Sequence, residues 1–587
     1  MEAENYYSKR IIELNNELIK VQKKYRLYTF LRLFFFLIAG SSFFVFWGSW
    51  MILPAFIFFF GLFLFVVHLS VEAKYKRDKK LVLLSLNENE IKVLHGDWLM
   101  FEDGNEFRDA KHPFTLDMDI FGKKSIFQLV NRTVSKLGKE KLADTIANGT
   151  AQIEMNTICI TDLSKKIDWC QEFISEGIVR REEVKSSLKE LSILDIELSK
   201  TFQLLRFILP SIAFSSIILL SIGVISTSVF SAILVINISI IARSLKRTNS
   251  VANSLTKQSD RVKVILKQLE LYSFLEVENE KFKIEQEQFL NSENGVLHEV
   301  KKLDEIMGRF DVRINFLVGI LLNFLLAWDF QILNQFKQWL GKNSNQISVW
   351  EDKLAEIEVW ISGAIYKFNH PNSTFASINV ENEKIEIIGI SHPFVDQSKS
   401  VLNDVYLKEN ENFIIITGPN MAGKSTYLRS LGLTFAFANA GFPVLAKSCK
   451  LPLLKLFSSM RTSDDLTVES SYFHAELIRL RFIMDAIERG EKVFIILDEI
   501  LKGTNSKDKE IGSAKFLQKL KRLNSKGIIA THDLSLCELS VEDVSFRNMY
   551  FDSTIEGDNL SFDYKINEGI CKNMNASFLL RQMKLVD

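Results

Sequence analysis

The sequence predicts a multidomain protein with α-helical transmembrane hairpins, a helical core or lever domain, and an α/β domain that carries a phosphate-binding loop. Three observations support this fold class. Two long stretches hold no Asp, Glu, Lys or Arg, a charged helical segment follows them, and β-like runs alternate with helices after about residue 376. The expected domains are therefore residues 1–110, 111–375 and 376–587.

The first domain is expected to contain a membrane hairpin at about residues 30–71. The uncharged stretch from Leu33 to Val71 is about as long as two spans of roughly 20 residues each. The expected turn is Gly48 to Pro54, with Trp47 and Trp50 at the membrane interface, which aromatic side chains favour. A cleaved signal peptide has a shorter apolar core, so we exclude that class of segment.

A second uncharged stretch, Phe207 to Ile241, predicts another hairpin at about residues 205–242, within the helical core. A buried helical hairpin of a soluble protein is the alternative. Basic residues flank both hairpins and neither tip is charged, so the positive-inside tendency predicts that both enter from the cytoplasm and return. We therefore expect a multi-pass protein of the inner (cytoplasmic) membrane with its third domain in the cytoplasm. The apolar run Ile314 to Trp328 is too short to span and is expected to form a buried helix.

Charge and cysteine content bear on the function classes to consider. The 72 basic and 72 acidic residues give a formal net charge of zero, so no global basic field indicates a nucleic-acid-binding protein, and a local basic face stays open. The five cysteines are scattered without a C-x-x-C pair, which indicates neither a zinc site nor a disulfide framework.

The third domain contains the phosphate-binding pattern G-x-x-x-x-G-K-[S/T]. A strand-like run, Phe413 to Ile416, precedes the loop, and a helix is predicted from Ser425 to about Leu433. Glycines allow backbone N–H groups to surround phosphate oxygens, and the helix N-terminus adds partial positive charge. ATP is the expected cofactor, with Lys424 on its β- and γ-phosphates. The residues expected to bind it are Gly418, Pro419, Asn420, Met421, Ala422, Gly423, Lys424, Ser425 and Thr426.

Two further strand ends complete the expected chemistry. The apolar run Val493 to Leu497 leads into Asp498 and Glu499, and another strand leads into Thr531 and His532. Ser425 and Asp498 are the expected ligands of Mg²⁺, the second cofactor. Glu499 would orient and polarise the attacking water, and His532 would lie near the γ-phosphate. The expected catalytic residues are Lys424, Glu499 and His532, although a lone histidine at a strand end is more often structural.

The order of these motifs resembles the ATPase domain of the MutS family of DNA mismatch-repair proteins. Gly418 to Thr426 reads as that family's own version of the loop. Further resemblances are Ser391-His-Pro-Phe394, Asn403-Asp404, Gly441-Phe-Pro-Val-Leu-Ala446, Ser463-Asp-Asp-Leu466, Ser471 with Phe473 and Glu476, Leu497-Asp-Glu-Ile-Leu-Lys-Gly-Thr-Asn505 and Thr531-His-Asp533. Asp117 to Gly138 more weakly resembles the start of the MutS core domain. The resemblance implies an ABC/MutS-type ATPase fold and a homodimer through the ATPase domains. Ser471 would then act in trans on the partner's nucleotide.

The sequence departs from the repair proteins before the core. About 110 residues, mostly hairpin and flanks, stand where those proteins carry a mismatch-reading domain, and no F-x-E wedge occurs there. The resemblance therefore implies a membrane-anchored ATPase that works as a dimeric clamp or switch, with double-stranded DNA as a client read with low sequence or mismatch preference. A protein or lipid client stays open. An ABC-type transporter is the alternative from another class, although its L-S-G-G-Q signature is absent, and a non-enzymatic scaffold is the third hypothesis.

Overall fold

The computed structural model describes residues 2–180, 187–192, 198–292, 295–312, 316–379, 383–396, 399–460, 472–502, 505–556 and 559–571. The chain forms two compact units. One comprises Met1–Glu88, Thr133–Lys139 and Asp168–Val359, and the other comprises Asn89–Arg132, Glu140–Ile167 and Trp360–Asp587. The domain bounds expected from the sequence, 1–110, 111–375 and 376–587, stay a prediction.

Helices dominate the fold. In chain order they are α1 Glu2–Val45, α2 Ile52–Leu94, α3 Ile126–Val130, α4 Lys136–Asn148, α5 Ile153–Leu163, α6 Ile167–Val179, α7 Lys189–Ser192, α8 Lys200–Ser221, α9 Thr227–Ser273, α10 Glu280–Leu290, α11 Val296–Val312, α12 Phe316–Leu326, α13 Trp328–Asn343, α14 Gln346–Asn369, α15 Lys424–Ala440, α16 Tyr472–Glu488, α17 Ser506–Arg522 and α18 Leu539–Glu542.

The strands belong to the carboxy-terminal part of the chain. They are β1 Ser377–Asn379, β2 Ile385–Ile390, β3 Asn403–Leu407, β4 Phe413–Thr417, β5 Ser448–Pro452, β6 Lys455–Ser459, β7 Val493–Asp498, β8 Lys526–Ala530, β9 Phe546–Phe551, β10 Thr554–Glu556, β11 Asn559–Ser561 and β12 Ile566–Glu568.

In the first unit, α1 and α2 form a long helical hairpin, joined by a turn at residues 46–51. The apolar ends pack through phenylalanine pairs, with the ring centroids of Phe36 and Phe63 5.6 Å apart and those of Phe43 and Phe56 5.0 Å apart. Trp47 and Trp50 at the turn are more than 80% exposed. The hairpin therefore presents a large apolar surface outward, which is unusual for a soluble surface.

Three helices of the described chain are long and apolar enough to cross a membrane, namely α1, α2 and α8. The two parts of α9, Thr227–Arg243 and Thr248–Ser273, meet at a bend of 61° and would add a fourth span if they count as one. These properties concern length and composition, and membrane insertion stays a prediction.

The expectation of a buried helix at Ile314 to Trp328 is only partly correct. The helix present there, α12, packs against α8 and α9 of the second hairpin. Phe324 is buried, but Val318, Ile320 and Leu321 are exposed. Apolar residues occur on all sides of this helix, so the sequence did not indicate which side would pack against other helices.

In the second unit, a six-stranded sheet has the order β12-β9-β4-β8-β7-β6. All neighbours are parallel except β12, which runs antiparallel to β9. β4 is buried along its whole length, as the apolar run Phe413 to Ile416 predicts for a central parallel strand. A second sheet has the order β1-β5-β2-β3, and β10 pairs with β11. The carboxyl ends of β4, β7 and β8 meet at one edge, where ligands bind in open α/β sheets.

Candidate nucleotide site

The loop between β4 and α15 has the backbone of an anion-binding turn. Gly418 and Gly423 have φ values of 145° and 103°, and Met421 has a φ of 68°. A Cβ atom on Gly418 would lie 2.6 Å from the carbonyl oxygen of Phe551, so only glycine fits there. Within the loop, Pro419 and Ala422 are buried, whereas Asn420 and Met421 are exposed at its rim. The positive φ values of Gly418, Met421 and Gly423 turn the backbone into a concave loop that suits phosphate oxygens.

The ammonium group of Lys424 lies inside this loop. Its Nζ donates hydrogen bonds to the carbonyl oxygens of Gly418 at 2.8 Å and Pro419 at 2.9 Å. Burial lowers the pKa of Lys424. Phosphate oxygens are stronger acceptors than carbonyls for an ammonium group, so this position suits a polyphosphate.

Ser425 and Asp498 lie together at the adjoining strand end. The Ser425 hydroxyl donates to Oδ2 of Asp498 at 2.7 Å, while Thr426 is exposed beside it. A hydroxyl next to a carboxylate is a donor set that Mg²⁺ accepts when nucleotide oxygens and waters supply its other ligands. No group of three or more His, Cys, Asp and Glu side chains suited to a metal occurs among the described residues. The pair therefore fits a metal that arrives with the nucleotide.

Glu499 and His532 pair across the ends of β7 and β8. Nε2 of His532 lies 3.1 Å from Oε1 of Glu499 and 3.4 Å from Nζ of Lys424. One imidazole nitrogen can donate to Glu499 or accept from Lys424, but not both at once. The hydrogen bond from His532 holds the pKa of Glu499 at about 2, against the opposing effect of burial. Glu499 is therefore a carboxylate at neutral pH, as a residue that polarises water must be.

The structure thus brings five expected residues, Lys424, Ser425, Asp498, Glu499 and His532, to one sheet edge. The register explains why, since Ile416 of β4 and Asp498 of β7 both pair with Ala530 of β8. Ser471, expected to act in trans, lies outside the described residues, as does the segment from Ser463 to Leu466.

A cleft of about 480 Å³ opens beside the loop, and the sequence analysis did not predict it. Its aromatic lining includes Tyr427, Phe551 and Tyr564, together with His392. Burial lowers the pKa of His392 to about 4, so its imidazole is neutral at physiological pH. Asn403 fixes the segment that carries Tyr564. Its side-chain NH₂ group donates to the Tyr564 carbonyl oxygen at 2.9 Å, and its Oδ1 accepts from the Ile566 N–H at 2.9 Å. A cleft with aromatic side chains in its wall, next to a phosphate loop, suits a planar base.

Comparison with known proteins agrees with this architecture. Residues 414–584 match the family model of MutS domain V. The DNA mismatch repair protein MutS of Clostridioides difficile is 30% identical over 284 residues, which cover 47% of this chain and 28% of that protein. The MutS of Acetivibrio thermocellus is 32% identical, over 42% of this chain and 29% of that protein, and the MutS of Thermotoga petrophila is 33% identical, over 32% and 24%.

The matched region therefore spans less than a third of the length of these curated relatives. The match to the family model, residues 414–584, includes the phosphate-binding loop, Asp498, Glu499 and His532, whose geometry is described above. The resemblance inferred from the motifs is confirmed at the level of the family. Residues 414–584 of this chain therefore belong to the MutS domain V family.

Proposed function

We propose that the chain is a membrane-anchored, Mg²⁺-dependent ATPase in which ATP binding and hydrolysis drive a dimeric clamp or switch. The observation that carries the proposal is the convergence of Lys424, the Ser425–Asp498 pair and the Glu499–His532 pair at one sheet edge. Bound Mg²⁺ would supply charge neutralisation at the β- and γ-phosphates. The test is phosphate release by the purified full chain in detergent, with Mg²⁺ and with excess chelator.

Each side chain has a separate task in this mechanism. Lys424 would turn from the loop carbonyls to phosphate oxygens, and Ser425 and Asp498 would hold the metal. Glu499, ionised and held by His532, would accept a hydrogen bond from water and orient it towards the γ-phosphate. His532 can then face the developing charge on the phosphate. The cleft lined by Tyr427 and Tyr564 would hold the base, which fixes the nucleotide in line with these groups.

The membrane anchor is supported by the exposed apolar surface of α1, α2 and α8. We extend that surface to α12, because Val318, Ile320 and Leu321 are exposed on a helix that packs against α8 and α9. At 11 residues α12 is about 17 Å long, too short to cross the bilayer core of about 30 Å. It would enter the cytoplasmic half of the membrane and leave on the same side.

Both hairpin tips are expected outside the cytoplasm and the nucleotide site inside it. In intact cells, Ser49→Cys and Val224→Cys chains should react with an impermeant thiol reagent, whereas Asn420→Cys should react only after permeabilisation. All five native cysteines are buried, which keeps the background low. Labelling of Asn420→Cys in intact cells would overturn the topology.

DNA is the client that the family membership favours, since the relatives are named DNA mismatch repair proteins. We expect binding with low mismatch preference, because the resemblance does not extend to a mismatch-reading domain. Phosphate contacts would then dominate, so affinity should fall steeply between 50 and 200 mM salt.

Fluorescence anisotropy with matched and mismatched duplexes across this salt series tests the expectation. The two affinities should differ by less than about tenfold, or about 1.4 kcal/mol. A larger mismatch preference would contradict it by requiring a reading element. Absence of binding at low salt would refute DNA as the client and favour a protein or lipid instead.

A further inference from the structure

A buried carboxylate lies on the apolar face of α16. The sequence predicts a buried face at Phe473, Leu477, Leu480 and Met484. The prediction is wrong for Leu477, which is 39% exposed. Glu476, only 3% exposed, takes its place at helical spacing between Phe473 and Leu480. A carboxylate in such surroundings needs hydrogen-bond partners to offset the loss of water.

Glu476 finds its partners in the backbone just after the catalytic acids. Its Oε1 accepts from the N–H of Leu501 at 2.5 Å, and its Oε2 accepts from the N–H of Lys502 at 3.1 Å. Burial raises the pKa of Glu476, whereas these two N–H groups favour its ionised form. The carboxylate therefore fixes two consecutive peptide groups of one loop.

The loop that Glu476 fixes has an uncommon backbone. Glu499 and Leu501 have φ values of 54° and 58°, in the left-handed region that side-chain-bearing residues rarely adopt. Such conformations persist where neighbouring groups determine them. On one side, the N–H of Glu499 is held by the carbonyl of Ala530 at 2.9 Å, and on the other Glu476 holds Leu501 and Lys502.

The helix that carries Glu476 is itself held on the sheet and begins beside the predicted signature segment. Arg479, one turn further on, donates to the carbonyl oxygen of Ser458 on β6 at 2.9 Å. α16 begins at Tyr472, directly after Ser471 in the chain. The position of this helix is thus connected to the loop of Glu499 through one carboxylate.

We propose that Glu476 is a positioning residue that couples α16 to Glu499. Its carboxylate keeps the loop of residues 499–502 in the conformation that aims Glu499 at His532 and the attacking water. This inference rests on the proposed ATPase function.

The test compares Glu476→Gln with Glu488→Gln in the full chain in detergent. Glutamine keeps the shape but replaces one acceptor oxygen with an NH₂ group that cannot accept from a backbone N–H. Glu488 lies on the same helix with its side chain 40% exposed and serves as the matched control. We expect Glu476→Gln to lower kcat at least tenfold with the Kd for a fluorescent ATP analogue within twofold. Deuterium exchange of the peptide containing Leu501 and Lys502 should become faster, and Glu488→Gln should change neither quantity.

Two results would overturn the proposal. The first is that Glu476→Gln keeps the wild-type kcat and the wild-type rate of deuterium exchange at Leu501 and Lys502. The second is that kcat, affinity for the ATP analogue and thermal stability all fall together, which would mean that Glu476 has a structural role only. If Glu476→Gln does not fold, Glu476→Asp keeps the charge and retracts it by one methylene, with the same expected directions and the same overturning results. A wild-type chain without ATPase activity would refute the proposed function, while the exchange measurement would still decide whether Glu476 holds the loop.

Discussion

Replacing Glu499 with glutamine is expected to leave ATP affinity within about twofold of wild type and to lower kcat by about 100-fold or more. The carboxylate lies 3.1 Å from Nε2 of His532, which holds the pKa of Glu499 at about 2. It is therefore ionised throughout the neutral range and can accept a hydrogen bond from water. Glutamine keeps the size of the side chain and loses that charge, so binding should survive and the hydrolytic step should fail.

Rapid-quench measurement of a single turnover separates these two effects, with nucleotide binding measured in parallel. Glu510→Gln provides the matched control, because Glu510 is an exposed residue of α17. Its kcat should equal that of wild type. Hydrolysis by Glu499→Gln at the wild-type rate would show that another group activates the water.

Local patterns sufficed to predict the centre of the site. The apolar run before Gly418 predicts a strand at Phe413 to Ile416, and β4 is Phe413–Thr417. The helix predicted from Ser425 to about Leu433 begins at Lys424 and continues past Gly432 to Ala440, where Gly441 ends it with a φ of 72°. Asp498 follows an equally apolar run, and parallel strands place such ends side by side.

Features formed by distant segments could not be predicted in the same way. Tyr427, Phe551 and Tyr564 line one cleft, but they come from a helix, a strand and a loop that no shared spacing connects. Leu477 and Glu476 differ by one position, about 100° around a helix, and tertiary packing decided which was buried. The uncharged helix α12 shows the same limit, since composition gave its apolar character but not its neighbours.

The second large effect concerns Lys424 and Ser471 in combination. Lys424→Ala removes the ammonium group that lies in the phosphate-binding loop, and we expect ATP affinity to fall by about 100-fold or more. Ser471→Arg places a bulky cation where the resemblance to MutS implies contact with the partner's nucleotide, although Ser471 lies outside the described residues. Each variant alone should hydrolyse almost no ATP. Lys455→Ala, whose side chain is 71% exposed, is the control and should behave as wild type.

Mixing the two inactive variants should restore activity if the sites are shared between chains. In a mixed dimer, the intact loop of the Ser471→Arg chain faces the intact Ser471 of the Lys424→Ala chain, and the other site carries both substitutions. Random pairing makes half of the dimers mixed, each with one working site of two, so an equal mixture should reach about a quarter of wild-type activity. Steady-state phosphate release after co-expression measures this. Activity that stays at the level of the separate variants would refute composite sites, because each nucleotide site would then work within its own chain.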